Sequence, residues 1–290
     1  MKSPDFSYCR PQSMSEVFDL LANHGDNARI LAGGQSLMPS LNMRLSKPAL
    51  LIDINRIKEL GGIEEQGDDL KIGALARHFE VETSPLVAKF TPLLHDALPH
   101  VAHTAIRSRG SFGGSLAYAD AAAEIPAITL MYEGRIQVGS KKGLRQIAAI
   151  DFFQGLYSTA LEEDEIITSV LFPKNHFTHH VFKEFTRRQG DYATVGIAVA
   201  ASAQGDQIKD LRIVYFGISD RPLVDLLLAQ ELLHQGLTIE NVEKLSKDVG
   251  NDLDITTDIY HDASTKLHLL QVIVKRSLFE LLGKIQDARS

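Results

Sequence analysis

The chain has 290 residues, with 30 Lys and Arg against 37 Asp and Glu, one cysteine and no tryptophan. That length accommodates about two domains, and 44% hydrophobic with 23% charged residues is ordinary globular usage, which excludes disordered and fibrous classes. The net charge of −7 argues against a nucleic-acid or anionic-membrane binder, and the lone Cys9 excludes an internal disulfide or an all-cysteine metal or iron–sulfur site within the chain. No apolar run approaches the roughly 20 residues of a membrane span, and MKSPDFSYCR lacks the apolar core of a signal peptide. A cytoplasmic protein is expected.

In chain order, Ser13 and Glu16 form a capping-box pattern for a helix over 13–24, with Met14, Val17, Phe18 and Leu21 on one face and Gly25 to end it. ARILA (28–32) reads as a strand that stops at Gly33-Gly34. About one helical turn follows around 37–45, then a strand ALLIDI (49–54). From 57 to 87 the segments are short and glycine-punctuated, with LKIGA (70–74) as the clearest strand; 91–101 looks helical. The passage AIRSRGSFGGSLAYADAAAEIPAITLM (105–131) leads from a glycine loop into an apolar helix holding Pro126 near its start. RIQVG (135–139), IAAIDFF (147–153) and IITSVLF (166–172) predict a second, mostly antiparallel sheet.

A boundary is expected at 173–178. Beyond it come three strands (180–188, 194–203, 208–218), with Gln204-Gly205-Asp206 as a hairpin turn, and then helices over 221–235, 238–249 and 267–285. Strands followed by helices mean an α+β fold. The division is a 1–175 domain, with subdomains of about 1–56 and 57–175, and a 176–290 domain.

Two glycine loops are the first candidates for chemistry. Ile30, Leu31, Ala32, Gly33, Gly34, Gln35, Ser36 and Leu37 end a strand in two glycines, where backbone N–H groups and the Ser36 hydroxyl can meet phosphate oxygens. Taken alone, such a pair is more often a plain turn. Gly110, Ser111, Gly113, Gly114 and Ser115 form a second small-residue loop, whose ordinary role would be close helix–strand packing. Neither has dinucleotide-fingerprint or P-loop spacing; together they suit the two ends of one pyrophosphate. Asp120 and Glu124, four apart, suit ribose or ribityl hydroxyls or simply a helix N-terminus; Ala117 and Ala119 leave room beside them. His95, His100 and His103 lack a ligand pattern, so no metal site is expected. No nucleophile motif is present and no catalytic residue is assigned. In FKEFTRRQGDYAT, strand alternation puts Lys183 and Phe185 on one face and Glu184 on the other, with Tyr192 beside a turn.

LAGGQSLMPSLNMRL with LIDINRI, IRSRGSFGGSLAYADAAAEIPA, and FKEFTRRQGDYATVG, in that order, resemble the signature regions of the FAD-binding medium subunit of molybdenum hydroxylases, the xanthine dehydrogenase and aerobic carbon monoxide dehydrogenase family. The resemblance spans essentially the whole chain. It implies a two-subdomain FAD domain of the vanillyl-alcohol oxidase/MurB-like (PCMH) type followed by a smaller α+β domain. It also implies that residues 30–37 wrap the FAD pyrophosphate, while Gly110, Ser111, Phe112, Gly113, Gly114 and Ser115 contact it from the other side. Val101 and Ile106 then lie near the cofactor, Asp120 and Glu124 bind its hydroxyls, Ile167 meets the adenine end, and Lys183 and Tyr192 approach the isoalloxazine. Ser115 replaces the Asn of many relatives, Tyr118 stands where His is frequent and Ala121 where Pro is common, which bears on individual contacts. The implied function is electron transfer from a small [2Fe–2S] partner subunit through FAD to NAD+ or another acceptor. Molybdopterin is then held in a large partner subunit, and the assembly is a dimer of heterotrimers. The alternatives are a self-contained FAD oxidoreductase and a non-catalytic FAD-binding protein.

Overall fold

The computed structural model describes residues 2–205 and 207–288. The chain opens with a small parallel sheet. Strands β1 (Ser7–Cys9), β2 (Ala28–Leu31) and β3 (Leu50–Asp53) lie in the order β1-β3-β2, both pairings parallel. The helix Met14–His24 connects the first two and packs Val17 and Leu21 onto the sheet. Ser13 Oγ accepts from the Glu16 amide as expected, but the Glu16 carboxylate reaches back to the amide of Gln12 rather than to the cap itself.

The second sheet is wholly antiparallel. Strands β4 (Ile63–Gln66), β5 (Asp69–Gly73), β6 (Arg135–Ser140), β7 (Gly143–Ala148) and, after a short hairpin of β8 (Phe153–Gly155) and β9 (Ser158–Thr159), β10 (Ile166–Pro173) pair in the order β4-β5-β10-β6-β7. The expected strand at 147–153 is broken: Ala149–Phe152 makes a helical turn that buries Ala149 and Phe152, so the run splits between β7 and β8.

The long apolar helix expected after the glycine loop is two helices, Phe112–Tyr118 and Glu124–Met131. Ala119 adopts the left-handed conformation (φ 50°, ψ 45°), which ends the first. Asp120 therefore lies in the break, and Glu124 opens the second helix, every residue of which is buried.

The third sheet is an antiparallel meander of β11 (His179–Phe185), β12 (Val195–Gln204), β13 (Gln207–Phe216) and a short fourth strand, β14 (Leu223–Val224), beyond the three expected. Gln204 pairs with Gln207 across the hairpin; of the expected turn residues, Asp206 lies outside the described residues. Alternation divides this sheet between two cores. Ala198, Ala200, Val214 and Phe216 join the central core with Phe112, Ile125 and Ile128, while Val199, Ile213 and Tyr215 face the helices Leu226–Gln235, Ile239–Leu245 and Ala263–Asp287. The meander is thereby pressed against the buried helix Glu124–Met131.

Candidate functional site

The carboxyl ends of β2 and β3 lie side by side, the usual place for a ligand at a parallel sheet. β2 delivers the chain to Gly33. Gly34 then takes a positive φ of 72° and turns it into the short helix Leu37–Asn42, while the Gln35 side chain donates to the Gly33 carbonyl at 2.9 Å. Among the described residues no acceptor takes up the amide N–H groups of Gly33, Gly34, Gln35 or Ser36, and the Ser36 hydroxyl makes no capping bond. Residues 30–38 are all half-buried, so these open donors are partly sheltered and still within reach of a ligand.

The second loop meets the first directly. A Cβ built on Gly33 would lie 2.8 Å from the Cα of Gly110 and closer still to the Arg109 carbonyl oxygen. The amides of Arg109 and Gly110 both bond the Ile106 carbonyl, at 3.0 and 2.7 Å, which winds the loop tightly. Ser111 lies opposite Arg77 in an antiparallel bridge whose flanking bonds are His78 N–H to Gly110 O (3.0 Å) and Phe112 N–H to Ala76 O (2.9 Å). That register leaves the Ser111 amide open. The Ser111 hydroxyl is buried and has no hydrogen-bond partner among the described residues.

The helix Phe112–Tyr118 has two faces. Phe112 is wholly buried, and the Gly113 amide bonds Ala74 O at 2.9 Å, so both belong to packing. Gly114 and Ala117 are exposed, with Ser115 and Tyr118 half-exposed beside them. Up to Tyr118 at its end, the outward face thus carries only small side chains, as a flat ligand needs.

A carboxylate group stands next to this face. Asp120 is buried, accepts from the Ala122 amide at 3.0 Å and from the Tyr157 hydroxyl at 3.4 Å, and burial raises its pKa. Glu124 is 4% exposed, and burial, followed by the charges of Glu184 and Asp120, pushes its carboxyl up to about 8. Glu184 comes from β11 with its side chain 5% exposed; one oxygen meets His100 Nδ1 at 3.2 Å and the other has no hydrogen-bond partner among the described residues. The Tyr192 ring is exposed, but its hydroxyl is raised by desolvation and then by Asp120, Tyr118, Glu124 and Tyr157 around it. Tyr118 and Tyr157 pack ring to ring at 5.0 Å.

The structure therefore brings together residues 30–37, Gly110, Ser111, Gly114, Ser115, Ala117, Asp120, Glu124 and Tyr192. Ile106 and Val101 stand behind them: each offers a backbone carbonyl to the second loop's support, Ile106 to Gly110 and Val101 to the Arg107 guanidinium at 3.1 Å. Ile167 is buried in the central core within β10. Lys183 is not gathered with the others. It lies on the face of β11 turned to the C-terminal helix and pairs with Glu280 at 2.5 Å, because the strand's alternation sends Glu184, not Lys183, toward Glu124. Glu184 and Tyr157 were missed from the sequence. So were Asn55 and Arg77, which hydrogen-bond each other and the carbonyls of Ala32 and Arg109; the one signal was the position of Asn55, just past the end of the strand that follows the first glycine loop.

A family model described as the FAD binding domain in molybdopterin dehydrogenase matches residues 4–175, and that of the CO dehydrogenase flavoprotein C-terminal domain matches residues 180–281. The chain is 37% identical over 281 residues to the nicotine 6-hydroxylase medium subunit of Paenarthrobacter nicotinovorans, covering 97% of this chain and 98% of that one. It is 33% identical over 279 residues to the carbon monoxide dehydrogenase medium chain of Hydrogenophaga pseudoflava, covering 96% and 97% respectively. In structure it is similar to a chain of quinoline 2-oxidoreductase from Pseudomonas putida 86, with a TM-score of 0.94, 36% identity and coverage of 99% and 100%.

The residues present fit FAD. A pyrophosphate needs convergent N–H donors without competing acceptors, which residues 33–36 and Ser111 offer. Its hydroxyls need acceptors, which Asp120 and Glu124 offer, and the orphaned Ser111 hydroxyl supplies one further polar group.

Proposed function

The chain belongs to the family of FAD-binding medium subunits of molybdenum hydroxylases, and from this premise we propose that it is the electron-transfer subunit of a multi-subunit hydroxylase. Electrons come from a [2Fe–2S] partner subunit and pass to NAD+ or another acceptor. The molybdopterin lies in a large partner subunit, in a cytoplasmic dimer of heterotrimers. We also propose the division into a 1–175 cofactor domain, itself split near residue 56, and a 176–290 domain.

The observation that carries this reading is that the two loops touch at Gly33 and Gly110 with open amides on both, those of residues 33–36 and of Ser111. FAD bound there supplies the redox chemistry. The chain's own residues do the rest. Residues 33–36 and the Ser111 amide hold the pyrophosphate, Asp120 and Glu124 accept from hydroxyls, and the bare face of Gly114 and Ala117 admits the cofactor. Tyr192 stands at the exposed edge, where a phenol can shield a flavin from water and tune it. The lone cysteine gives the partner assignment its logic: an iron–sulfur relay on four thiolates must come from another polypeptide.

The test is purification of the chain alone and with its partners. One FAD per chain is expected, with NAD+ or another acceptor reduced only when a four-cysteine ferredoxin-like chain and a molybdopterin chain are present. A chain that takes up no FAD overturns the reading. A lone chain that oxidises a small molecule at full rate overturns the subunit role and favours a self-contained oxidoreductase.

A further inference from the structure

We propose that Asn55 and Arg77 are positioning residues that hold the two glycine loops in register for the cofactor, an inference that rests on the pyrophosphate cradle above. The arrangement begins at Asp53, the last residue of β3, whose carboxylate is buried and receives the Tyr8 hydroxyl, the Asn55 amide N–H at 2.9 Å and the Asn55 side-chain amide at 2.7 Å. Burial works to raise the Asp53 pKa, but these donors and Arg10 at 3.4 Å hold it below its ordinary value, so it stays charged. A fixed anion on one side locks the orientation of the Asn55 amide.

That amide then faces both loops. Its Nδ2 donates to the Ala32 carbonyl at 2.9 Å, and its Oδ1 accepts from Arg77 Nη2 at 2.6 Å. Arg77 Nη1 donates in turn to the Arg109 carbonyl at 2.6 Å. Ala32 and Arg109 are the residues before Gly33 and Gly110. The two loops therefore touch directly at Gly33 and are tied a second time by the Asn55–Arg77 bridge.

The carbonyls are the effective handles. The peptide unit is planar and trans, so holding the Ala32 oxygen aims the Gly33 N–H the opposite way, away from Asn55. The peptide between Arg109 and Gly110 is held at both ends, by Arg77 at its oxygen and by Ile106 at its N–H. The Asn55 amide donates to Ala32 and accepts from Arg77 at once, and the Arg77 guanidinium holds its two donors, one to Asn55 and one to Arg109, in a fixed fork. Neither residue needs to touch the cofactor.

The experiment measures FAD affinity of the deflavinated chain by flavin fluorescence for wild type, Asn55→Ala, Asn55→Asp, Arg77→Lys and the Asn55→Ala/Arg77→Lys double variant, with the melting temperature of each apo chain. Each single variant is expected to bind FAD about tenfold more weakly at an apo melting temperature close to wild type. The double variant should be no worse than the weaker single variant, because both remove one linkage. Asn55→Asp keeps an acceptor for Arg77 but loses the donor to Ala32, so it should be as weak as Asn55→Ala. Wild-type affinity in the single variants, or full rescue by Asp, overturns the proposal while leaving the cradle standing. So does a loss of affinity that only follows a lower apo melting temperature. A wild-type chain that binds no FAD overturns both.

Discussion

The carbonyl oxygen of Arg109 fills the space in which a side chain at Gly33 would begin. A Cβ there would also stand 2.8 Å from the Gly110 Cα and 3.0 Å from the Ser111 amide nitrogen, all backbone, so nothing can rotate away. Gly33→Val must push the two loops apart, at a cost of about 1–3 kcal/mol or about a 5- to 150-fold loss of FAD affinity. Flavin absorbance of the purified variant checks this; full flavin content would mean that the loops do not share the cofactor.

Gly113 and Gly114 are neighbours with opposite duties. A Cβ on Gly113 would lie 2.6 Å from the Ala74 Cβ and 2.8 Å from its Cα, whereas one on Gly114 meets the Ser111 side chain, its hydroxyl at 2.7 Å, and no backbone. Gly113→Ala should therefore destabilise the fold by about 1–3 kcal/mol, lowering the melting temperature of the apo chain by about 3–10 °C. Gly114→Ala should leave the melting temperature nearly unchanged and reduce FAD retention instead, since Gly114 is on the exposed face. Thermal melts of the apo variants beside their flavin content separate the two.

Glu124 gives the apo chain a pH dependence of definite sign. Its carboxyl is held at about 8 in the folded chain, against about 4.5 unfolded, by burial and then by the Glu184 and Asp120 charges. Between those values the folded state binds more protons than the unfolded one. The contribution is therefore complete below about 4.5 and is lost as pH rises through about 8. Apo wild type should melt at progressively lower temperature from pH 5 to pH 8, and Glu124→Gln should flatten that slope. An unchanged slope in the variant would show that Glu124 is ionised throughout.

The glycine loops, the first helix with the strands at 28–32 and 49–54, the antiparallel second sheet and the final meander were legible because each rests on local chemistry; the opening strand Ser7–Cys9 and its parallel pairing with Leu50–Asp53 were not. Gly-Gly after a strand, a Ser13 cap and alternating apolar runs all act within a few residues. The break between Tyr118 and Glu124 was not legible: it depends on Ala119 adopting a left-handed conformation that its composition disfavours and only the packing around it imposes. Glu184 and Arg77 were missed for a different reason. A charged residue in a strand or at a helix start reads as solvent-facing, and only long-range pairing brings Glu184 to Glu124 or Arg77 to Arg109. The parity of Lys183 and Glu184 was plain from alternation, but which face the cofactor domain would cover was set by the packing of the meander on the helix Glu124–Met131.

That parity makes Lys183 and Tyr192 an informative pair. Lys183 is tied to Glu280, which also holds Lys284 at 3.2 Å, on the side of β11 away from the carboxylates. All three side chains are roughly a third or more exposed, so Lys183→Ala should cost less than about 1 kcal/mol of stability and leave the flavin spectrum and potential at their wild-type values. Tyr192 is 54% exposed, yet its hydroxyl lies among Asp120, Glu124, Tyr118 and Tyr157. Removing that hydroxyl takes one dipole from beside these carboxylates without opening a cavity, so Tyr192→Phe should keep its FAD while its potential shifts. Dye-coupled reductive titration of both variants decides the matter. A shifted potential in Lys183→Ala would place its ammonium within reach of the flavin after all, and an unshifted one in Tyr192→Phe would remove the tyrosine from the site.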